Sequence, residues 1–244
     1  MIPLARCADA VMAVLFAPLC AACKEPLESP VCGAVCVACW SAIRPLTEPL
    51  CPICGDALPT WRGSAGARQC ARCSRLPRAI TRGRAVGAYE GALRDILHAL
   101  KYDRRRSVAS RLAQLMAQAG ASVLDGADFL VPVPLHIARH YGRGFNQASE
   151  LAKHLGIPSV NVLRRRRATA TQTDLPEAER HRNVRNAFAV RHGARGRLQG
   201  ATVVVIDDVS TTGATLDACA SVLLAAGVRE VRALTAARAV SRLP

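Results

Sequence analysis

The sequence predicts an α/β fold, with an open parallel sheet in the main domain and a small cysteine-rich module in front of it. From residue 84 onward, apolar and mostly β-branched segments alternate with helical patterns, as in strands that are joined by crossover helices. Ten of the eleven cysteines lie in the first 73 residues. We therefore expect a metal-binding module in residues 1–77 and an α/β domain in residues 78–244.

The composition favours a polyanionic partner. The chain has 244 residues, is 50% hydrophobic and carries a formal charge of +15. Such a charge attracts nucleic acid, so single-stranded DNA is a candidate partner. Only three of the 33 basic residues are lysines. A compositional bias of the source genome would produce the same excess of arginine, so both explanations of the positive charge stay open.

The N-terminal apolar segment, residues 10–19, is shorter than the about 20 residues that a transmembrane helix needs. It runs straight into the first cysteine pair, which does not suit a cleaved export signal. We predict a short helix that packs on the following module, and a cytoplasmic protein without a membrane span.

The N-terminal cysteines form four Cys-x-x-Cys pairs, separated by 12, 11 and 15 residues. Two thiolates on a tight turn chelate one zinc ion, and a second such turn completes a tetrahedron. The alternative, a disulfide framework, would require an oxidising compartment. We predict two structural zinc ions in a double zinc ribbon and expect consecutive pairs to share an ion, although an interleaved pairing stays open. The predicted ligands are Cys20, Cys23, Cys36, Cys39, Cys51, Cys54, Cys70 and Cys73.

Three cysteines lie outside the four pairs. Cys32 is predicted to be a buried thiol, with replacement of a neighbouring cysteine as metal ligand as the alternative. Cys219 is predicted to be a core residue, and the role of Cys7 stays open. Residues 74–82 are a predicted basic linker, and the basic run 101–106 is a predicted solvated helix end that has phosphate contact as its alternative. Predicted strands lie at 85–89, 129–134, 160–163, 187–190, 203–206 and 228–236, and predicted helices at 91–102, 107–119, 146–155, 177–186 and 215–226, with a turn at 193–200.

The most informative segment is Val203–Thr215, in which four apolar residues precede Asp207, Asp208 and a run of small hydroxyl residues. Ligands of open α/β sheets bind at the carboxyl ends of strands. Backbone N–H groups at a helix N-terminus cradle phosphate, whereas adjacent carboxylates suit ribose hydroxyls or Mg²⁺. The segment therefore predicts a site for a 5-phosphoribosyl group, whose phosphate would be wrapped by Ser210, Thr211, Thr212, Gly213, Ala214 and Thr215.

Two further loops are candidate parts of the site. The loop after the strand at 129–134 carries Arg139, Arg143 and two glycines, which is chemistry for an anion such as pyrophosphate, and Asn146 and Gln147 open the next helix. A solvated loop without a ligand is the alternative. The hydroxyl-rich segment 168–177 is predicted to be a functional loop.

The segment Val203–Thr215 resembles the phosphoribosyl pyrophosphate signature of type I phosphoribosyltransferases. The order of motifs over nearly the whole chain resembles the ComF competence-protein family, from the four cysteine pairs through Arg143-Gly-Phe-Asn-Gln147 and Thr171-Gln172 to the acidic loop. The resemblance implies a double zinc ribbon joined to a phosphoribosyltransferase-type domain, a role in DNA uptake and natural transformation, and proteins of DNA uptake and recombination as candidate partners. It implies that Asp207 and Asp208 bind the ribose of Mg²⁺–phosphoribosyl pyrophosphate, with pyrophosphate-side or lid roles for Arg139, Arg143, Gly144, Asn146, Gln147, Thr171 and Gln172.

Two functions are compatible with these features. One is transfer of the phosphoribosyl group to an acceptor with release of pyrophosphate; the other is a non-catalytic module that binds a phosphoribosyl ligand and single-stranded DNA. Purine salvage members of the superfamily carry an acidic residue where this chain has Thr211, and a threonine cannot deprotonate a purine, so purine salvage is not expected. The sequence assigns no catalytic residue.

Overall fold

The computed structural model describes residue 9 and residues 17–58, 69–103, 105–135, 144–166 and 186–239. No helix within these ranges is long and apolar enough to cross a membrane. The predicted helix at 10–19 lies mostly outside the described residues. The predicted loop at 168–177 lies outside them, and the predicted helix at 177–186 does so except for its last residue.

A parallel sheet forms the centre of the α/β domain, as predicted, with the strand order β1-β6-β5-β2. Its middle strand, β5, has Val203, Val204, Val205 and Ile206 fully buried. A strand that is covered on both faces explains the unbroken apolar run in the sequence. The strands are β1 (Gly83–Ala88), β2 (Phe129–Pro132), β3 (Leu163–Arg165), β4 (Phe188–Val190), β5 (Thr202–Ser210) and β6 (Glu230–Arg238).

Helices cover both faces of this sheet. Leu97, Leu112 and Leu151 of α3, α4 and α6 bury one face, and Leu216 and Leu223 of α8 bury the other. Each helix presents an apolar stripe to the sheet, which is the layer arrangement that the alternating pattern predicts. The helices are α1 (Val37–Ser41), α2 (Ala71–Arg75), α3 (Gly91–Lys101), α4 (Val108–Ala119), α5 (Ala121–Leu124), α6 (Gln147–Ala152), α7 (Arg195–Leu198) and α8 (Ala214–Leu224).

Two short elements differ from the prediction. Of the predicted strand at 160–163 only Leu163 lies in a strand, as the first residue of β3, which pairs antiparallel with β4. Ser159, just before the predicted start, forms a single parallel bridge with Leu130 of β2. The predicted turn at 193–200 contains α7. Both elements are only three or four residues long, so their partners, rather than their own periodicity, decide their structure.

The cysteine-rich module is attached to the free edge of β1. Residues 44–46 run antiparallel to this strand, with the N–H of Leu46 donating to the carbonyl of Val86 at 3.2 Å and the N–H of Ala88 donating to the carbonyl of Arg44 at 3.3 Å. The module therefore protects an edge strand whose backbone groups would otherwise lack partners. Gly87, which lies between these two bonds, permits the close approach.

Replacing Gly87 with alanine would place a methyl carbon 2.3 Å from the carbonyl oxygen of Arg44. We expect Gly87→Ala to lower the free energy of unfolding by about 1–3 kcal/mol, because one of the two segments must move. Urea unfolding measures the change. Gly196→Ala is the control, since among the described residues no atom beyond its own helix and its chain neighbours lies within 4 Å of the added carbon. Equal stabilities of the two variants would contradict the importance of this contact.

Candidate functional site

The eight paired cysteines form two clusters, each made of consecutive pairs. All four Sγ atoms of a cluster lie within 4.8 Å of one another. In the first cluster the Cys20 and Cys39 sulfurs are 3.9 Å apart, and the Cys23 and Cys36 sulfurs 3.8 Å. Tetrahedral zinc with Zn–S bonds of about 2.3 Å sets its sulfurs about 3.8 Å apart, so the clusters fit zinc. The clusters are Cys20, Cys23, Cys36 and Cys39, and Cys51, Cys54, Cys70 and Cys73.

The two ribbons are an internal repeat. In both, the N–H of the first cysteine donates to the carbonyl five residues later at 2.7 Å, and its own carbonyl accepts an N–H from four residues later, at 3.0 Å in the first ribbon and 2.8 Å in the second. An isolated antiparallel bridge closes each turn. The repeat is also visible in the sequence, as Leu-Cys-x-x-Cys-x-x-x-Leu at residues 19–27 and again at 50–58.

The remaining cysteines have different environments. Cys32 is exposed, so its prediction as a buried thiol is wrong, whereas Cys219 is fully buried in the core as predicted. Cys7 lies outside the described residues. With four cysteine ligands in each cluster, a bound zinc ion would have no open position for a substrate, so the ions that these clusters fit are structural.

The acidic pair lies at the carboxyl end of β5. The strand extends through both carboxylates to Ser210, four residues beyond the apolar run. Burial, followed by the neighbouring charge of Asp208, raises the pKa of Asp207 to about 7. The N–H of Asp208 donates to Asp207 Oδ1 at 2.9 Å, which holds the first carboxylate in place. Asp207 is thus balanced between its acid and its carboxylate forms near neutral pH.

Lys101, the last residue of α3, belongs to the same site. Its Nζ lies 3.1 Å from Asp208 Oδ2, and both side chains are largely buried. Burial alone would lower the pKa of Lys101, but the Asp208 carboxylate raises it above the ordinary lysine value. The prediction of a solvated helix end at this residue is therefore wrong. Its position at the end of an apolar helical stripe was the available signal, but only the tertiary fold shows which strand end it faces.

The turn after β5 has the geometry of a phosphate cradle. Gly213 has a φ of +81° and caps the N-terminus of the eleven-residue helix α8. A left-handed residue at this point turns the backbone from the strand into the helix, where free N–H groups face incoming anions. Thr211 and Thr215 are partly exposed, whereas Ser210 and Thr212 are 5% and 2% exposed. The Thr212 Oγ1 accepts from the N–H of Ala214 at 3.3 Å, and the contact of residues 210–215 with a phosphate stays a prediction.

The predicted pyrophosphate loop is described only in part. Asn146 caps α6, with its Oδ1 accepting from the N–H of Ala148 at 3.0 Å, and its Nδ2 donates to the carbonyl of Val133 at 2.9 Å. Gln147 is buried and Gly144 is exposed with a φ of +77°. Asn146 therefore anchors the helix to the end of β2. Arg139, Arg143, Thr171 and Gln172 lie outside the described residues, and their roles stay predictions.

A second basic feature lies beside β3 and β4. A pocket of about 370 Å³ is lined by Arg164, Arg191 and Arg195 together with Val190, His192 and two glycines, and none of these described residues is acidic. The Nε of Arg191 donates to the carbonyl of Leu163 at 3.2 Å, which fixes one wall. Guanidinium groups gathered in this way attract phosphate.

The two parts of the chain match two known domain families. Residues 11–75 match the double zinc ribbon domain, and residues 141–243 match the phosphoribosyl transferase domain. Together with the fold and the clusters, these matches define a phosphoribosyltransferase-type domain with an N-terminal double zinc ribbon.

Similar proteins share both parts. DNA utilization protein YhgH of Salmonella typhi is 37% identical over 224 residues, which cover 88% of this chain and 94% of that protein. Competence protein F of Haemophilus influenzae is 28% identical over 217 residues, covering 85% and 91%. Competence protein ComFC of Bacillus subtilis is 29% identical over 201 residues, covering 79% of each. The chain belongs to this ComF family of competence and DNA utilization proteins.

We expect the purified chain to carry two zinc ions, as measured by elemental analysis. Cys20→Ser and Cys51→Ser each remove the equivalent ligand of one ribbon, and each should reduce the content to one ion. Both variants should also be less stable, because metal binding contributes directly to the folding of such small modules. Cys32→Ser is the control and should keep both ions. Zinc loss in that variant would contradict the assignment of the ligands.

Proposed function

We propose that this protein binds Mg²⁺–phosphoribosyl pyrophosphate at the turn between β5 and α8 and acts in DNA uptake or utilization. The observation that carries the proposal is the acidic pair, which precedes a left-handed turn and a helix N-terminus at the carboxyl end of the central strand. Carboxylates accept hydrogen bonds from a ribose diol, and backbone N–H groups donate to a phosphate. No single smaller anion would use both halves of this site.

The enzymatic form of the proposal is transfer at C1 of the ribose. A lone pair of the acceptor forms the new bond to C1. The C1–O bond breaks at the same time, and pyrophosphate leaves with the electron pair of that broken bond. Mg²⁺ and nearby cations would stabilise the departing negative charge, and Lys101 is a described cation beside the acidic pair. Arg139 and Arg143 are proposed to act on the pyrophosphate side. In the non-catalytic form, the same site holds the ligand without chemistry at C1.

The pH dependence of binding tests the role of Asp207. Since its pKa is about 7, the carboxylate that accepts ribose hydroxyls is present above pH 7 and is lost as the pH falls through that value. We expect the affinity for Mg²⁺–phosphoribosyl pyrophosphate, measured by calorimetry, to rise between about pH 6 and pH 8. Asp207→Asn should weaken binding about 10- to 100-fold at pH 8 and remove the part of the pH dependence that is due to this side chain.

The ligand's own phosphates titrate equally with both proteins, so the difference between the two profiles isolates Asp207. Identical profiles would contradict its contact with the ribose.

Pyrophosphate release, measured with candidate acceptors for the wild type and for the Asp207→Ala/Asp208→Ala variant, separates transfer from binding alone. Tight binding without release for any acceptor would exclude the enzymatic form.

A second candidate function is sequence-independent binding of single-stranded DNA, and the pocket with three arginines favours it. The pocket lies beside β3 and β4, and the described residues that line it include no acidic side chain. No phenylalanine, tyrosine or tryptophan is among these described lining residues, so they offer phosphate contacts rather than base stacking. The names of the relatives, which refer to DNA utilization and to competence, agree with such a partner.

The double variant Arg164→Gln/Arg195→Gln should bind single-stranded DNA more weakly, with a shallower dependence of log affinity on log salt. Each lost phosphate contact reduces the slope by about 0.7. Fluorescence anisotropy at several salt concentrations measures both quantities. Arg94→Gln, at an exposed arginine on α3, is the control and should behave as the wild type. An unchanged slope in the double variant would contradict the pocket as a DNA site.

A further inference from the structure

We infer that the second cysteine cluster supports the proposed phosphate-binding turn at residues 210–213. Arg78 and Arg238 are the positioning residues between the cluster and this turn. Metal bound by Cys51, Cys54, Cys70 and Cys73 would then hold the turn at residues 210–213 in its binding conformation. The nature of the ligand rests on the function proposed above, whereas the coupling between cluster and turn rests only on contacts within the chain.

Arg78 holds the helical end of the turn. It forms an ion pair with Asp217 in the first turn of α8, and its side chain is 2% exposed. Its Nη2 donates to the carbonyl of Thr212 at 3.1 Å, and its Nη1 would lie 3.4 Å from a Cβ added to Gly213. Burial would lower the pKa of this guanidinium, but Asp217 and the nearby Cys73 of the second cluster raise it above its usual value. One buried cation thus lies between a ligand of the second cluster and the turn at residues 210–213.

Arg238 holds the strand end of the turn. Its Nη1 donates to Ser210 Oγ at 3.4 Å, and the next residue, Ala239, donates its N–H to the carbonyl of Ser210 at 2.9 Å. The Nε of Arg238 lies 3.1 Å from Asp56 Oδ1, and Asp56 also lies 3.7 Å from Arg72. Asp56 in turn accepts the N–H of Cys51 through its carbonyl at 2.7 Å. A second chain of contacts therefore connects the same cluster to the turn.

The two buried arginines need nearby negative charges. Arg78 and Arg238 are almost fully buried, and a buried cation needs a nearby negative charge. Asp217 and Asp56 supply part of it, and a zinc ion held by four thiolates keeps a net negative charge that supplies more. Without metal in the second cluster, both arginines lose part of this negative charge. The turn at residues 210–213, which they contact, is then held less firmly.

The first cluster is the internal comparison, because it packs elsewhere. Cys20 and Cys39 lie in a core that contains Ile96 and Ala99 of α3 and Val108 of α4. Loss of the first metal ion should therefore disturb the α3–α4 face, whereas loss of the second should disturb the phosphate turn. The two ribbons have the same local structure and differ in what they touch.

The test compares Cys70→Ser with Cys23→Ser, each of which removes one of the less buried ligands of its cluster. Amide hydrogen exchange of a peptide spanning residues 207–217 reports on the turn, and a peptide from α4 reports on the face that the first cluster contacts. We expect Cys70→Ser to speed exchange in the turn and to weaken Mg²⁺–phosphoribosyl pyrophosphate binding by about tenfold, as for other coupled sites. Cys23→Ser should leave exchange in the turn unchanged and the affinity within about twofold.

Asp56→Asn provides a variant that keeps all eight ligands and still breaks the contact chain, and it decides the matter if Cys70→Ser does not fold. It should retain two zinc ions and speed exchange in the turn. Its control is Asp103→Asn, which removes an ion pair with Lys24 beside the first cluster. Unchanged exchange in the turn for both Cys70→Ser and Asp56→Asn would overturn the inference. If the wild type binds no ligand, the proposed function fails, while the exchange measurements still decide the coupling.

Discussion

The parallel pairing of β5 with β6 is the constraint on which the candidate site depends. Its register places Ser210 opposite Arg238 and Asp207 opposite Thr235, so the acidic pair and the start of the turn have defined neighbours on the adjacent strand. Because β5 is also paired with β2 and covered by helices on both faces, the strand end cannot shift without disturbing the whole core. A rigid strand that ends in polar groups is the usual support for a ligand site.

The site contains an acidic pair, although the chain as a whole is strongly basic. A protein with a formal charge of +15 concentrates two carboxylates at one strand end, where burial and mutual repulsion raise the pKa of Asp207 to about 7. Lys101 offsets part of this cost through its contact with Asp208. Perturbed groups of this kind are characteristic of functional sites, because a purely structural role would not favour two adjacent, largely enclosed carboxylates.

The two zinc ribbons are alike in local structure and different in placement. The first cluster packs on α3 and α4, and the segment at residues 44–46 that joins the two ribbons extends the sheet edge. Buried arginines lie between the second cluster and the turn at residues 210–213. The predicted linker at residues 74–82 is consequently not a solvated tether, since Arg78 and Ile80 are buried against the α/β domain. The boundary between residues 77 and 78 stays a prediction, and these contacts cross it.

The sequence alone determined the class of fold, the two-part organisation, the phosphoribosyl-type motif and the set of paired cysteines. Each of these is encoded locally, in a β-branched run, a Cys-x-x-Cys spacing or an acidic pair before a glycine turn. Only the tertiary structure decided that consecutive cysteine pairs share a cluster, that Cys32 is exposed, and that Lys101, Arg78 and Arg238 surround the site. These residues come from segments far apart in the chain, and a basic residue carries no periodic signal that tells which buried carboxylate it will meet.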